Sequence, residues 1–296
     1  MAIDLHLHTK FSDGTSSLSE ILDNAENLNL TSIAITDHEI VTDVSKLKKK
    51  TKIDIIQGCE VSVNWKTIKD SKESGIHLLF YFVQEHSPLS NKLKEIRKNK
   101  IKRNEKIINN LNNLGFKINK SVLIPSKNEV IGRPHIAKAM LEGGYVKSLQ
   151  EAFDKYLGNG KPAYVDDHHL EIETLLKLSN ESKSVCVLAH PHTLKIDSRK
   201  NEFNKKNWID EKLFNYISEL KKLGIDGIEA YYPLYNLNST NQLIDISEKL
   251  NMIYTGGSDY HGKNKPNLFM GFGYENNKIN IPDLISENLH SYHEKL

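Results

Sequence analysis

The first residues that could do chemistry lie near the amino terminus, where His6 and His8 are two positions apart in an apolar stretch. Residues two apart in an extended segment point to the same face, so these imidazoles can share one metal ion. Asp13 follows in the next loop. Mixed imidazole and carboxylate ligands suit Zn²⁺, Mn²⁺ or Fe²⁺. This part of the chain therefore predicts a metal site.

The same arrangement recurs further along the chain, where a histidine or a carboxylate stands at the end of an apolar run. One ion uses about four protein ligands, so a larger set predicts two or three divalent ions that share a bridging carboxylate. We interpret Asp37 as a residue that orients a ligand rather than as a ligand itself. The nine candidate ligands are His6, His8, Asp13, His38, Glu60, His77, His190, Asp259 and His261, of which only His77 precedes its apolar run.

Seven short runs rich in Ile, Val, Leu or Tyr predict the strands that position these residues. Most are followed by apolar residues at helical spacing, and this alternation favours a parallel sheet with helices outside it, open or closed into a barrel. Catalytic groups of a parallel barrel collect at the carboxyl ends of its strands. The predicted strands are Ala2–His8, Thr31–Asp37, Ile53–Val61, Gly75–Val83, Ser184–His190, Gly224–Tyr232 and Met252–Asp259.

One long interval interrupts the alternation between the fourth and fifth runs. A structureless loop of that length is implausible inside a domain. Helical patterns over 91–114, 134–142 and 148–157, each followed by glycine, predict a small inserted helical module. We therefore expect residues 1–87 and 167–296 to form a metal-binding barrel, and residues 88–166 to form a helical cap.

The composition excludes several other classes of protein. The 296 residues are 26% charged and 38% hydrophobic, which is typical of a globular domain, and two cysteines exclude a disulfide framework. The formal charge of +2 does not describe a polycation built to coat nucleic acid. Apolar runs fall well short of the roughly 18 to 20 residues that span a bilayer, and no signal peptide is recognisable. We expect a cytoplasmic protein with no membrane partner.

Six motifs taken together resemble the PHP (polymerase and histidinol phosphatase) domain family of metal-dependent phosphoesterases. Each motif is weak alone, but their combination in this order is specific and spans the chain. Within the insertion, residues 132–137, 151–158 and 160–165 resemble the branch that acts on 3′,5′-nucleoside bisphosphates and on short RNA. The six motifs are His6-Leu-His8, Asp13-Gly-Thr, Thr36-Asp37-His38, Gly58-Cys-Glu60, His190-Pro191 and Gly257-Ser-Asp259-Tyr-His261.

The resemblance implies a distorted, TIM-like barrel of seven strands with a trinuclear site at the carboxyl ends of the strands. Mn²⁺ is the expected ion, with Fe²⁺ and Zn²⁺ as alternatives. One ion would be held by His6, His8, Glu60 and Asp259, with Glu60 bridging to a second ion on His77 and His190, and a third on Asp13, His38 and His261. The residues expected to take part in catalysis are Asp13, His38, Glu60, His190, Asp259 and His261.

The implied activity is hydrolysis of a phosphate of 3′,5′-nucleoside bisphosphates by water that the metal ions activate. Arg133 and His135 flank Pro134 at a predicted helix start, and we expect them to bind the second, non-reacting phosphate. Short RNA or DNA is the other candidate substrate, and no obligatory protein partner is expected. Two alternatives stay open: another family phosphatase or cyclic-phosphate diesterase, for example one acting on histidinol phosphate, and a catalytically silent metal-binding regulatory module.

Within the helix predicted over 91–114, residues 92–106 include eight Lys or Arg and two Glu. Most such runs are solvated surface, and we favour that interpretation here. The other interpretation is a surface that attracts short RNA, whose turnover would then fall steeply with salt.

Overall fold

The computed structural model describes residues 2–65, 74–119, 132–166, 171–194, 208–274 and 277–296. The chain divides into two units, one of Met1–Asn91 with Leu170–Leu296 and one of Lys92–His169. The boundaries expected for the insertion, 88 and 166, lie four and three residues from those of the second unit.

A seven-stranded sheet forms the centre of the first unit, with its strands paired in chain order. The strands are β1 (Ala2–Leu7), β2 (Leu30–Ile35), β3 (Asp54–Trp65), β4 (Ser74–Tyr81), β5 (Val185–Leu188), β6 (Gly227–Tyr231) and β7 (Ile253–Gly256). Four of the six strand pairs are parallel, and β4 runs antiparallel to both of its neighbours. This α/β fold is the one that the alternation of strands and helices predicts.

The edge strands β1 and β7 approach each other at one end. A parallel bridge joins Leu7 to Tyr260, and the His8 N–H donates to the Tyr260 carbonyl at 3.0 Å. Across the described residues, no ladder pairs β1 with β7, so the closed barrel stays a prediction. The bridge nevertheless places the segments that follow β1 and β7 side by side.

The prediction for β3 and β4 is wrong in two respects. The sequence pattern ends the third strand at Val61, with Glu60 at its carboxyl end, whereas β3 continues to Trp65 because it pairs with β4 in an antiparallel ladder. The reversed direction of β4 also explains the position of His77. Its carbonyl accepts the Ala189 N–H at 3.0 Å, beside the carboxyl end of β5. An antiparallel strand delivers ligands to this rim from its amino-terminal half.

Three helices of the first unit start at capping side chains that are visible in the sequence. Within the described residues the helices of this unit are α1 (Leu18–Asn27), α2 (Ser45–Lys48), α6 (Ile172–Glu181), α7 (Glu211–Leu223), α8 (Leu237–Lys249) and α9 (Leu284–His293). Ser17 and Glu20 form a capping box at the start of α1, and Asp210 and Asn236 cap α7 and α8.

The second unit is helical over its described residues. The long helix α3 (Pro88–Asn113) leads into it, and α4 (Arg133–Glu142), α5 (Leu149–Ala152) and a π-helical turn at Phe153–Leu157 follow. These elements enclose a small apolar core that includes Ile107, Leu111, Ile136, Met140 and Leu157. The structure therefore has helices where the sequence predicts them, while their role as a cap stays a prediction.

A short three-stranded antiparallel sheet completes the first unit after β7. It consists of β8 (Leu268–Phe269), β9 (Gly273–Tyr274) and β10 (Asn277–Lys278). The cysteines at 59 and 186 are buried free thiols, as expected for small apolar residues. Among the helices in the described part of the chain, none is both long and apolar enough to cross a bilayer.

Candidate metal centre

The structure brings all nine predicted ligands into one continuous cluster. They reach it from several elements: the ends of β1, β2 and β5, the loop between β1 and α1, the middle of β3, the first half of β4 and the loop after β7. An isolated bridge between His38 and Glu60 joins the end of β2 to the centre of β3. The side chains of His6, His8 and Glu60 are at most 1% exposed, so the inner part of the cluster is shielded from solvent.

Glu60 lies at the centre of this cluster. Its Oε1 is 2.8 Å from His77 Nδ1 and 3.0 Å from His190 Nε2. A carboxylate with ring nitrogens facing both oxygens is placed to bridge two ions. The imidazoles facing the other oxygen, Oε2, at 3.2–3.3 Å are those of His6, His8 and His38.

Asp13 anchors a second part of the cluster. Its Oδ2 lies 3.2 Å from His261 Nε2 and 3.6 Å from His38 Nε2, and its Oδ1 lies 3.6 Å from His8 Nδ1. Two ligands of one tetrahedral ion are about 3.4 Å apart. The buried atoms His8 Nδ1 and Asp13 Oδ1 have no hydrogen-bond partner in the described structure. A ring nitrogen and a carboxylate oxygen that are buried at this spacing without a hydrogen-bond partner fit the two sides of a metal ion.

Three groups of side chains have ligand atoms that all lie within 4.8 Å of one another. Imidazoles and carboxylates without thiolates fit a divalent ion of the Mn²⁺, Fe²⁺ or Zn²⁺ type. The groups overlap the three ligand sets that the family resemblance implies. His8, His38 and Glu60 each occur in two groups, and His190 and Asp259 occur in none of the three. The three groups are His6, His8 and Glu60; His38, Glu60 and His77; and His8, Asp13, His38 and His261.

Asp259 is held from both sides. Its Oδ1 faces the cluster, 3.4 Å from His8 Nε2 and 3.3 Å from His261 Nδ1. Its Oδ2 accepts the Tyr232 O–H at 2.8 Å and is paired with the Lys265 ammonium. The backbone φ of Asp259 is 56°, a left-handed value that is uncommon for a non-glycine residue. The carboxylate is therefore oriented before any ion binds.

Charges within the cluster compensate one another. Burial lowers the pKa of His8, but the carboxylates of Asp259 and Glu60 outweigh it and raise that pKa to about 9. Burial also lowers the pKa of His6, but the carboxylates of Glu229 and Glu60 outweigh burial and hold that pKa well above its ordinary value. Burial raises the pKa of Glu60, whereas the surrounding imidazoles bring it well below its usual range. Protons on the imidazoles therefore balance the carboxylates, and a bound cation would replace those protons.

No sequence motif marks three residues that lie beside the cluster. Glu229 contacts His6, and Tyr232 and Lys265 contact Asp259. A carboxylate inside a buried strand is the one signal that could have identified Glu229.

Asp37 has the orienting role that the sequence suggests. Its carboxylate accepts the N–H and O–H of Thr9, each at 2.8 Å, the O–H of Ser12 at 2.7 Å, and the O–H of Thr42. These bonds fix the loop that carries Asp13.

The two predicted phosphate-binding residues lie at the start of α4 in the second unit. Arg133 donates to the Leu157 carbonyl at 3.4 Å, and its guanidinium carbon is 5.6 Å from the centre of the Tyr164 ring. His135 Nδ1 accepts the Gly132 N–H at 3.2 Å. Their contact with a substrate stays a prediction.

The family model of the PHP domain matches residues 4–229, well over half of the chain and seven of its nine candidate ligands. The chain belongs to the PHP domain family. All nine candidate ligands lie in one cluster of this chain, and PHP phosphoesterases are hydrolases of phosphate esters. The protein is therefore a metal-dependent phosphoesterase.

Three curated PHP relatives cover most of this chain. A 3′,5′-nucleoside bisphosphate phosphatase of Chromobacterium violaceum is 25% identical over 265 residues, covering 88% of this chain and 87% of the relative. A 5′-3′ exoribonuclease of Haemophilus influenzae is 25% identical over 262 residues, which cover 87% of this chain and 89% of that relative. A phosphoribosyl 1,2-cyclic phosphate 1,2-diphosphodiesterase of Eggerthella lenta is 22% identical over 274 residues, which cover 89% of this chain and 95% of that relative.

A solved structure shares the fold of the whole chain. It is an amidohydrolase of Chromobacterium violaceum, with a TM-score of 0.70, 23% identity, and coverage of 98% of this chain and 96% of its own.

Proposed function

We propose that this PHP phosphoesterase hydrolyses a phosphate of 3′,5′-nucleoside bisphosphates. The observation that supports the proposal is the cluster of nine candidate ligands centred on Glu60. The bisphosphate phosphatase of Chromobacterium violaceum supports the substrate, because its similarity extends over nearly the whole chain. The proposal keeps the three ligand sets that the family resemblance implies, with Mn²⁺ as the preferred ion.

The residues of the chain divide the work of this site. Divalent ions bound here would lower the pKa of a water ligand and neutralise negative charge as the phosphate ester breaks. Glu60 holds two groups of imidazoles at a fixed separation, and Asp37 fixes the loop of Asp13. Tyr232 and Lys265 hold Asp259 in orientation.

A phosphate-release screen tests the proposed substrate. Protein supplied with Mn²⁺ should release phosphate from nucleoside 3′,5′-bisphosphates faster than from nucleoside monophosphates or histidinol phosphate. The Asp259→Ala variant should be inactive on all of them. Faster release from histidinol phosphate would contradict the substrate, and retained metal without release from any nucleotide would favour a silent regulatory module.

Replacement of Arg133 by alanine should raise KM for a nucleoside bisphosphate about 10- to 100-fold, because a charge-assisted hydrogen bond to the second phosphate is removed. KM for a monophosphate should change little. Steady-state kinetics on both substrates measures the difference. The control is Lys138→Ala, which removes an exposed cation of α4 that pairs with Glu142. Equal effects on both substrates would contradict this role of Arg133.

Trimming of short oligonucleotides from the 5′ end is a second candidate function, favoured by the surface of α3. Four exposed lysines, which we call the lysine stripe, repeat every fourth residue, about 6 Å apart along the helix axis. Within the described chain, none of the four forms an ion pair. Like charges at this spacing destabilise a helix, so an anionic strand bound along them would relieve repulsion. The stripe is Lys94, Lys98, Lys102 and Lys106.

Changing all four stripe lysines to glutamine should weaken turnover of a short single-stranded RNA and leave turnover of the bisphosphate unchanged. The slope of log kcat/KM against log salt should become shallower by about 0.7 for each phosphate that a lysine no longer neutralises. A matched control changes four exposed lysines at α2, namely Lys46, Lys48, Lys49 and Lys50, to glutamine. An unchanged slope in the stripe variant would mean that the lysine stripe does not bind the RNA and is only solvated surface.

A further inference from the structure

Glu229 is a carboxylate that belongs to none of the six sequence motifs, yet it is buried inside the first unit. It belongs to β6, and its side chain has an exposure of 0%. A buried carboxylate is costly unless charge-assisted hydrogen bonds satisfy both of its oxygens. The contacts that satisfy Glu229 therefore indicate what it does.

The first contact fixes the ring of His6. Glu229 Oε1 lies 2.9 Å from His6 Nδ1. A carboxylate oxygen accepts from a ring N–H, so this contact places a proton on Nδ1 and leaves Nε2 as the nitrogen available to an ion. That Nε2 atom points into the cluster, 3.0 Å from His8 Nε2 and 3.3 Å from Glu60 Oε2.

The second contact fixes the backbone of His190. Glu229 Oε2 accepts the His190 N–H at 2.8 Å. The φ and ψ of His190 are 28° and 65°, a left-handed conformation that a non-glycine residue keeps only when its surroundings impose it. In this conformation His190 Nε2 lies 3.0 Å from Glu60 Oε1.

We propose that Glu229 is a positioning residue of the metal centre, with one carboxylate that sets both the tautomer of His6 and the backbone of His190. These two histidines are proposed ligands of different ions, so Glu229 would couple the affinities of two metal positions. The inference rests on the proposed metal centre and extends it to β6, a strand that supplies no ligand. Residues that orient ligating histidines in this way commonly affect metal affinity.

The Glu229→Gln variant tests this role, measured as Zn²⁺ affinity in competition with a chromogenic chelator and without substrate. Glutamine keeps the shape but has one acceptor oxygen, so its NH₂ group must face one of the two N–H donors. We expect the affinity to fall about 10- to 100-fold. The control is Asp226→Asn. Asp226 precedes β6 and likewise accepts a backbone N–H, from Cys186 at 2.8 Å, and the Tyr292 O–H at 2.7 Å. Its replacement should leave Zn²⁺ affinity unchanged.

The outcomes separate this inference from the function on which it rests. Wild-type protein that binds no Zn²⁺ would overturn the metal centre itself. Wild-type affinity in Glu229→Gln would overturn only the positioning role. If the variant does not fold, ring ¹⁵N NMR of wild-type protein with Zn²⁺ decides the question: a proton on Nδ1 of His6 supports the role, and a proton on Nε2 contradicts it.

Discussion

The Glu60→Gln variant should lose phosphate-release activity by about 10³-fold or more, together with most of its bound metal. Glutamine occupies the same volume, but it has no charge and only one acceptor oxygen. Both oxygens of Glu60 face ring nitrogens within 3.3 Å, so neither could be replaced by an N–H group without repulsion from a protonated imidazole. Elemental analysis of the purified variant, alongside phosphate release, measures both effects.

The matched control for Glu60 lies on the same strand. Asp54 is the first residue of β3, and its carboxylate pairs with the His290 ring at 2.7 Å. Asp54→Asn should keep wild-type metal content and activity, because an exposed pair of this kind contributes little. Glu60→Gln with full metal content and activity would show that the cluster is not organised around this carboxylate.

The stabilisation of the protein by metal should increase steeply with pH between about 6.5 and 8.5. The pKa of His8 in the folded, metal-free protein is about 9, above the 6.5 of an ordinary histidine, and the pKa of His6 is raised as well. These imidazoles must lose their protons before they bind an ion, so the apparent metal affinity should rise by about tenfold per pH unit for each proton released.

The metal-free protein should show the opposite trend over the same range. A group whose pKa is raised by folding stabilises the fold fully below its unfolded pKa, and this contribution disappears as the pH rises to the folded value. For His8 that window runs from 6.5 to about 9. The lowered pKa of Glu60 and Asp259 gives the reverse behaviour in acid, where their contribution is lost as the pH falls below their ordinary values.

Thermal unfolding with Mn²⁺ and with a chelator, at pH 6.5, 7.5 and 8.5, measures this linkage. We expect the difference in Tm between the two conditions to widen at each step. A difference that stays constant across the three pH values would mean that no imidazole proton is displaced by the ion.

Most of the candidate ligands can be predicted from the sequence because they belong to short local patterns. His6 and His8 share a strand face, and Asp259 and His261 follow a buried strand, so local periodicity is enough to place them at one rim. The sequence identifies Glu60 as a candidate ligand but does not show that it lies in the middle of a strand. The apolar run ends near Glu60, whereas pairing with β4 extends β3 to Trp65. The direction of β4 cannot be predicted from its apolar run either. Only its antiparallel pairing with β3 and β5 places His77 beside the other candidate ligands.

The supporting residues depend on contacts between distant parts of the chain, and so no local pattern marks them. Glu229 lies 223 positions from His6, and Tyr232 and Lys265 come together at Asp259. Their roles follow from burial and hydrogen bonding in three dimensions. The strand carrying Glu229 is short and otherwise apolar, so its sequence marks this carboxylate as unusual but does not show which residues it contacts.

The most direct test of the central claim, that this cluster is the metal centre of a phosphoesterase, is phosphate release during stepwise addition of Mn²⁺ to metal-free protein. A nucleoside 3′,5′-bisphosphate is the substrate, and metal content is measured at each step. Activity should be absent without metal, rise with occupancy until the ligand sets are filled, and stay absent in Asp259→Ala. Phosphate release by the metal-free protein, or by Asp259→Ala at the wild-type rate, would contradict it.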